Sequence, residues 1–352
     1  MKKKNFGPAL FFLIFSITSF SCSTMSYKEA YPTLLDGRYD SEFPYKSCSP
    51  QLEEISESIK FLNCIAYYKT AVLKDDSRLT RQNLTSELIE ANTAVSGFSE
   101  NTSAGTATII YNDGRRLAIL TCAHVVNFED SVFVYRYDKE GNPTPYLKSV
   151  SVKQRQSNYI SDLLEENEFE IIKMDALQDI AILSHESKGP IKTNIPVFRY
   201  PFGSAKDLEW GTFVYVFGYP MGYKTLTKGL VSSPNRDKSG SFVLDAFFNR
   251  GFSGGIILAI KDGIPNFELV GMIKSIPAEF EYVMKPFSSG DHENYSPFVP
   301  YTGSITVERK ASIKYGISRA VPVELIIKFL TDNREIFQQN GLNFTSLLTQ
   351  QH

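Results

Sequence analysis

At 352 residues the chain is long enough to bury one large core or two small ones. Its 42% hydrophobic and 22% charged residues describe an ordinary globular protein, and a formal charge of −2 excludes the basic excess that draws proteins to nucleic acid. Frequent Val, Ile, Phe and Tyr, with Gly and Pro scattered through the middle, lean towards β-structure.

The first segment reads as an address. Lys2, Lys3 and Lys4 form a positive region before an apolar run from Ala9 to Ile17. That run falls short of the ~20 residues a helix needs to cross a bilayer, and it suits a secretory signal over residues 1–21. Ser19-Phe20-Ser21-Cys22 resembles the cleavage box of bacterial lipoproteins, with Ser19 where an aliphatic residue is usual, so Cys22 is the expected lipidation site. The expected product is exported and held at the cell envelope by a lipid anchor. In an oxidising compartment Cys48 and Cys64 are able to bridge, whereas Cys122, in an apolar stretch, reads as a small buried side chain. Without paired Cys spacing, and with four His, no structural zinc site is expected.

A polar tether precedes a helix start at Ser49-Pro50, with Glu53 and Glu54 in its first turn. Leu52, Ile55, Ile59, Leu62 and Ala66 recur at helical spacing and predict a helix to about Val72, and a second over 85–93. Together with the tether these form an extension over 22–99. From about Ala104 the pattern changes to short strands. Thr106–Tyr111 and Leu117–Thr121 flank the hairpin turn Asn112-Asp113-Gly114. Strands follow at Val132–Tyr135, Glu168–Met174, Ile180–Leu183, Phe213–Phe217, Phe242–Leu244, Ile256–Ile260, Leu269–Ile273 and Lys314–Ser318, a sandwich or barrel pattern. A helix over Val321–Asn333 closes a domain at 100–334, and 335–352 reads as a tail.

Arg250-Gly251-Phe252-Ser253-Gly254-Gly255 carries the strongest chemical signal. Glycines around one Ser permit a sharp bend that exposes the hydroxyl and aims the Gly251 and Ser253 amides at one point, where an oxyanion can be held. A glycine-rich hairpin with an incidental Ser fits the same residues. The hydroxyl needs a base, and His124 alone among four His ends an apolar strand, in Leu120-Thr121-Cys122-Ala123-His124. Asp179, at the mouth of the strand Ile180-Ala181-Ile182-Leu183, is the candidate to orient that imidazole, although an Asp there is commonly a turn cap.

In their order, the TCAHVV, QDIAIL and GFSGG segments resemble the trypsin-like serine protease superfamily, and more closely its bacterial HtrA-like (Deg-type) members. The likeness extends to Gly105-Thr106-Ala107-Thr108-Ile109-Ile110, to Val216-Phe217-Gly218-Tyr219-Pro220-Met221-Gly222, to Gly229-Leu230-Val231-Ser232, to Val270-Gly271-Met272 and to Tyr315-Gly316-Ile317-Ser318. It implies a mainly β fold of two six-stranded antiparallel barrels, with His124 and Asp179 from the first and Ser253 from the second. It also implies a specificity pocket at Phe247, Phe248 and Met272, where the absence of an acid argues against basic P1 residues and for small or medium apolar ones. No cofactor or metal is implied, and protein or peptide chains are the implied substrates. Phe252 departs from the usual Asp or Asn, and Arg250 from a small residue or Pro. An insertion over 277–312 carries Tyr282, Phe287, Tyr295, Phe298 and Tyr301. With about 20 residues after the closing helix, the PDZ module of many HtrA-like proteases is not expected here. Two further readings stay open: a catalytically silent barrel acting as a binding or structural lipoprotein, and a hydrolase of esters.

Overall fold

The computed structural model describes residues 35–139, 141–163, 167–191, 195–246, 249–275, 278–286, 305–313 and 318–349. Helix α1 (Ser49–Glu57) forms at the expected Ser49-Pro50 start, with Pro50 in its first turn. The chain then turns at Ser58 into strand β1 (Ile59–Leu73), which corrects the helix expected to run on to Val72. The reason lies in the side-chain period. Leu62, Cys64, Ala66 and Tyr68 are buried while Phe61, Asn63, Ile65 and Tyr67 are half-exposed, a strict alternation that a strand satisfies. Helical spacing and strand alternation share several of these positions, and pairing with two neighbours decides between them.

Helix α2 (Ser86–Asn92) forms where the second helix was predicted, capped by the Thr85 hydroxyl accepting from the Leu88 amide. It leads into β2 (Thr93–Asn112), which turns at Asp113-Gly114 into β3 (Arg116–Thr121). A four-residue helix, α3 (Ala123–Val126), follows. Strands β4 (Ser131–Tyr137), β5 (Pro143–Ile160), β6 (Glu170–Asp175) and β7 (Ile180–Glu186) complete a seven-stranded antiparallel sheet, ordered β4-β5-β1-β2-β3-β7-β6. All of β1 and the first residues of β2 come from the segment expected to be a helical extension. The first half of the fold is thus an antiparallel half-barrel of seven strands, standing where the first of the two expected six-stranded barrels falls.

The second half closes. Strands β8 (Phe213–Gly218), β9 (Thr225–Ser233), β10 (Phe242–Leu244), β11 (Ile256–Ile260) and β12 (Phe267–Ser275) form a six-stranded barrel with a later strand (Ser318–Pro322). Every residue of β8, β10 and β11 is buried, the signature of strands with both faces covered. Between β12 and that last strand, β13 (Ala278–Pro286) pairs with β14 (Ile305–Ile313) as a two-stranded antiparallel sheet. The insertion's Phe287, Tyr295, Phe298 and Tyr301 lie outside the described residues, while Tyr282 is exposed on the hairpin. The last barrel strand, β15, is the Ser318–Pro322 segment; most of the predicted Lys314–Ser318 strand lies outside the described residues.

Helix α4 (Val323–Asp332) matches the closing helix, burying Val323, Ile326, Phe329 and Leu330. Beyond it the expected tail folds as α5 (Arg334–Gln339) and α6 (Thr345–Thr349). Phe337 packs edge-on to Phe329 and Phe344, and Phe344 on Tyr111 of β2, so the end of the chain braces both halves. The architecture is mainly β: a half-barrel and a closed barrel, with helices at its ends.

Candidate active site

His124 sits on α3, directly after β3 delivers the chain to the seam between the halves. Its Nδ1 lies 3.0 and 2.9 Å from the two carboxylate oxygens of Asp179, and its backbone N–H donates to Asp179 Oδ1 at 2.9 Å. Asp179 occupies the turn from β6 to β7 with φ of 64°, a left-handed conformation that Asp tolerates better than most residues. Its side chain is 6% exposed, against 46% for His124. A carboxylate buried on one side of an imidazole, with the other ring edge open, fixes the Nδ1–H tautomer and leaves Nε2 as an acceptor.

Ser253 lies on the loop from β10 to β11, where Gly251 and Gly254 adopt φ of 104° and 86°. Glycine is required at both. A Cβ at Gly251 would collide with the carbonyl of Tyr219, and one at Gly254 with the carbonyl of Thr106. The carbonyl of Arg250 accepts from the Met221 amide at 2.9 Å, and because a trans peptide points its N–H opposite its C=O, the Gly251 N–H faces away from Met221. Among the described residues, neither the Gly251 nor the Ser253 amide is used by a protein acceptor. Two such donors on one tight bend are what an oxyanion site requires.

Phe252 is buried. Its ring lies over Gly218 of β8, where any Cβ would collide with it. The loop is therefore anchored by an apolar ring in a slot that glycine leaves open.

The halves are stitched by hydrogen bonds around these loops. The Thr106 amide of β2 donates to the Ser253 carbonyl at 2.7 Å, and the Thr121 hydroxyl donates to the Thr106 carbonyl at 2.7 Å. The carbonyl of Ile273 accepts both the Gly254 amide, at 2.9 Å, and the Cys122 thiol, at 3.2 Å. Residues two positions from His124 and one from Ser253 thus meet at a single acceptor. No hydrogen bond joins His124 to Ser253 itself among the described residues.

Cys122, His124 and Asp179 also place three potential metal-donor atoms within 4.8 Å of one another. Their chemistry argues against that use. Burial, and then the nearby Asp179 charge, push the Cys122 thiol well up, so it is a protonated donor to Ile273, and the His124 Nδ1 is already held by Asp179.

Of the remaining expected positions, Phe247, Phe248 and Cys22 lie outside the described residues. Met272 is fully buried on β12 between Ile256 and Val321. Cys48 and Cys64 are free buried thiols, Cys48 against the Tyr215 hydroxyl at 3.4 Å, in place of a bridge. Thr106, Thr121 and Ile273 escaped the sequence reading, since their part is set by where their backbones fall; the one hint is the Gly105-Thr106 segment of the resemblance.

A search of curated proteins gives no match to this chain. Residues 105–272, which contain His124, Asp179 and Ser253, match the model of the trypsin-like peptidase domain, and this match supports a serine protease-type function.

Proposed function

We propose that the protein is a serine endopeptidase working through Ser253, His124 and Asp179, with the Gly251 and Ser253 amides as its oxyanion site. The observation that carries this reading is the grip of the buried Asp179 on the His124 Nδ1 and backbone N–H, at the seam that also binds the Ser253 carbonyl. In this reading Ser253 Oγ attacks the peptide carbonyl while Nε2 of His124 takes its proton. The oxyanion rests on the two amides, and the imidazolium, stabilised by Asp179, protonates the leaving amine. Water then hydrolyses the acyl-enzyme with His124 as base again. The wider expectations belong to the same proposal: HtrA-like kinship, substrates among envelope or extracellular proteins with apolar P1 residues, and a lipid anchor at Cys22.

Labelling of the folded protein with a fluorophosphonate, comparing wild type with Ser253→Ala, tests the chemistry. Labelling confined to wild type is the expected result. A folded wild type that stays unlabelled at every pH rejects the reading and leaves the silent barrel. Cleavage of esters but of no peptide or protein would make the chain an esterase with the same triad.

A further inference from the structure

We propose that the Thr106 side chain is the positioning residue that holds the oxyanion loop in its working conformation; the inference rests on the serine-hydrolase reading above. Thr106 is fully buried on β2, in the half-barrel that carries His124, yet its hydroxyl is spent entirely on the other half. Oγ1 donates to the Gly251 carbonyl at 2.7 Å and accepts from the Tyr219 amide at 2.9 Å. The direction is unambiguous. An amide N–H can only donate and a carbonyl can only accept, so the single hydroxyl proton goes to Gly251.

Gly251 is where such a clamp is needed. It has no side chain, its φ is 104°, and its two dihedrals set where the oxyanion donor points. The peptide before it is fixed through the Arg250 carbonyl by the Met221 amide, and the peptide after it through its own carbonyl by Thr106. Both planes flanking Gly251 are therefore held, and Thr106 supplies the only side chain that does so directly among the described residues. The same hydroxyl holds Tyr219, two residues before Met221, so one side chain sets the spacing of both clamping segments. The Thr106 backbone meanwhile binds the Ser253 carbonyl and accepts from Thr121 on the strand leading to His124. A substitution that keeps the backbone leaves these contacts in place and isolates the hydroxyl.

Thr106→Val is such a substitution. It keeps the branched shape and leaves the Gly251 carbonyl and Tyr219 amide without their shared partner. Fluorophosphonate labelling of the valine variant is expected to slow by about tenfold to a hundredfold, somewhat less than outright removal of an oxyanion donor costs. On any peptide the wild type cleaves, the loss should fall on kcat with KM little changed, and Thr106→Ser should restore most of it. Amide exchange of the segment 249–255 should quicken in the valine variant and return to normal in the serine variant. Thr106→Ala is measured in the same way should valine prevent folding. A variant lacking the hydroxyl that labels at the wild-type rate overturns the proposal, whether or not its melting temperature drops. Wild type that never labels rejects the hydrolase reading instead; exchange over 249–255 then decides alone, and unchanged exchange overturns the clamp.

Discussion

His124 and Asp179 are joined by three hydrogen bonds, two to the imidazole Nδ1 and one to the His124 backbone amide, all between 2.9 and 3.0 Å. The carboxylate therefore fixes both the tautomer of the ring and the position of the helix turn that carries it. Asp179→Asn keeps an oxygen for the backbone amide, so the fold should survive. An Asn amide facing Nδ1, however, favours the wrong tautomer. Labelling or turnover is expected to fall by about 10³- to 10⁴-fold with little change in melting temperature. A loss below about tenfold would remove Asp179 from the proposed triad.

The slot between Gly218 and Phe252 makes a second, sharper expectation. Gly218→Ala pushes a methyl into the Phe252 ring, and overpacking of this kind costs about 1–3 kcal/mol. Because Phe252 precedes Ser253, labelling should fall as well. Phe252→Leu in the Gly218→Ala background should recover part of both. Additive losses in the double variant would show that the two sites act independently.

Asp40 gives the pH dependence a definite sign. Burial, reinforced by Glu42, Asp262 and Asp36 and opposed by the Gly263 amide, pushes its carboxyl up to about 6. One of its oxygens, Oδ1, is buried without a hydrogen-bond partner among the described residues. A folded-state pKa above the unfolded value means that the favourable contribution is complete below about 4, the ordinary Asp range, and is lost as pH rises through 6. Asp40→Asn is accordingly expected to stabilise the protein at pH 8, by on the order of 1–2 kcal/mol, and to have little effect near pH 4. Urea midpoints at the two pH values check this; an unchanged or lower midpoint at pH 8 contradicts it.

Cys48, Cys64 and Cys122 are buried thiols, and burial pushes the Cys64 thiol up to about 12. None of the three should react with a maleimide in the native protein. All three should react after denaturation without reductant. Capture of a Cys48–Cys64 bridge in the non-reduced protein would contradict the structure.

Much of the candidate site was legible because its demands are local. Glycines on either side of Ser253 announce backbone conformations closed to other residues, and an acid at a strand mouth or a histidine at a strand end is marked by a few neighbours. The β10–β11 strands around GFSGG, the turn after Asn112 and the closing helix are legible for the same reason. The segment after Ser58 was not. Ile59, Leu62 and Ala66 satisfy a helix as well as a strand, and the choice fell to β2 and β5, whose partner residues lie up to about a hundred positions away.

The sequence by itself therefore determined which residues are able to do chemistry and where the chain must bend, since torsional preference and side-chain reactivity belong to single residues and their neighbours. Only the tertiary structure decided that the first half is a seven-stranded sheet, that three cysteines stay apart, and that Thr106 reaches 145 residues along the chain to hold Gly251. Those outcomes depend on hydrogen bonds and packing between segments distant in sequence, whose partners no local pattern specifies.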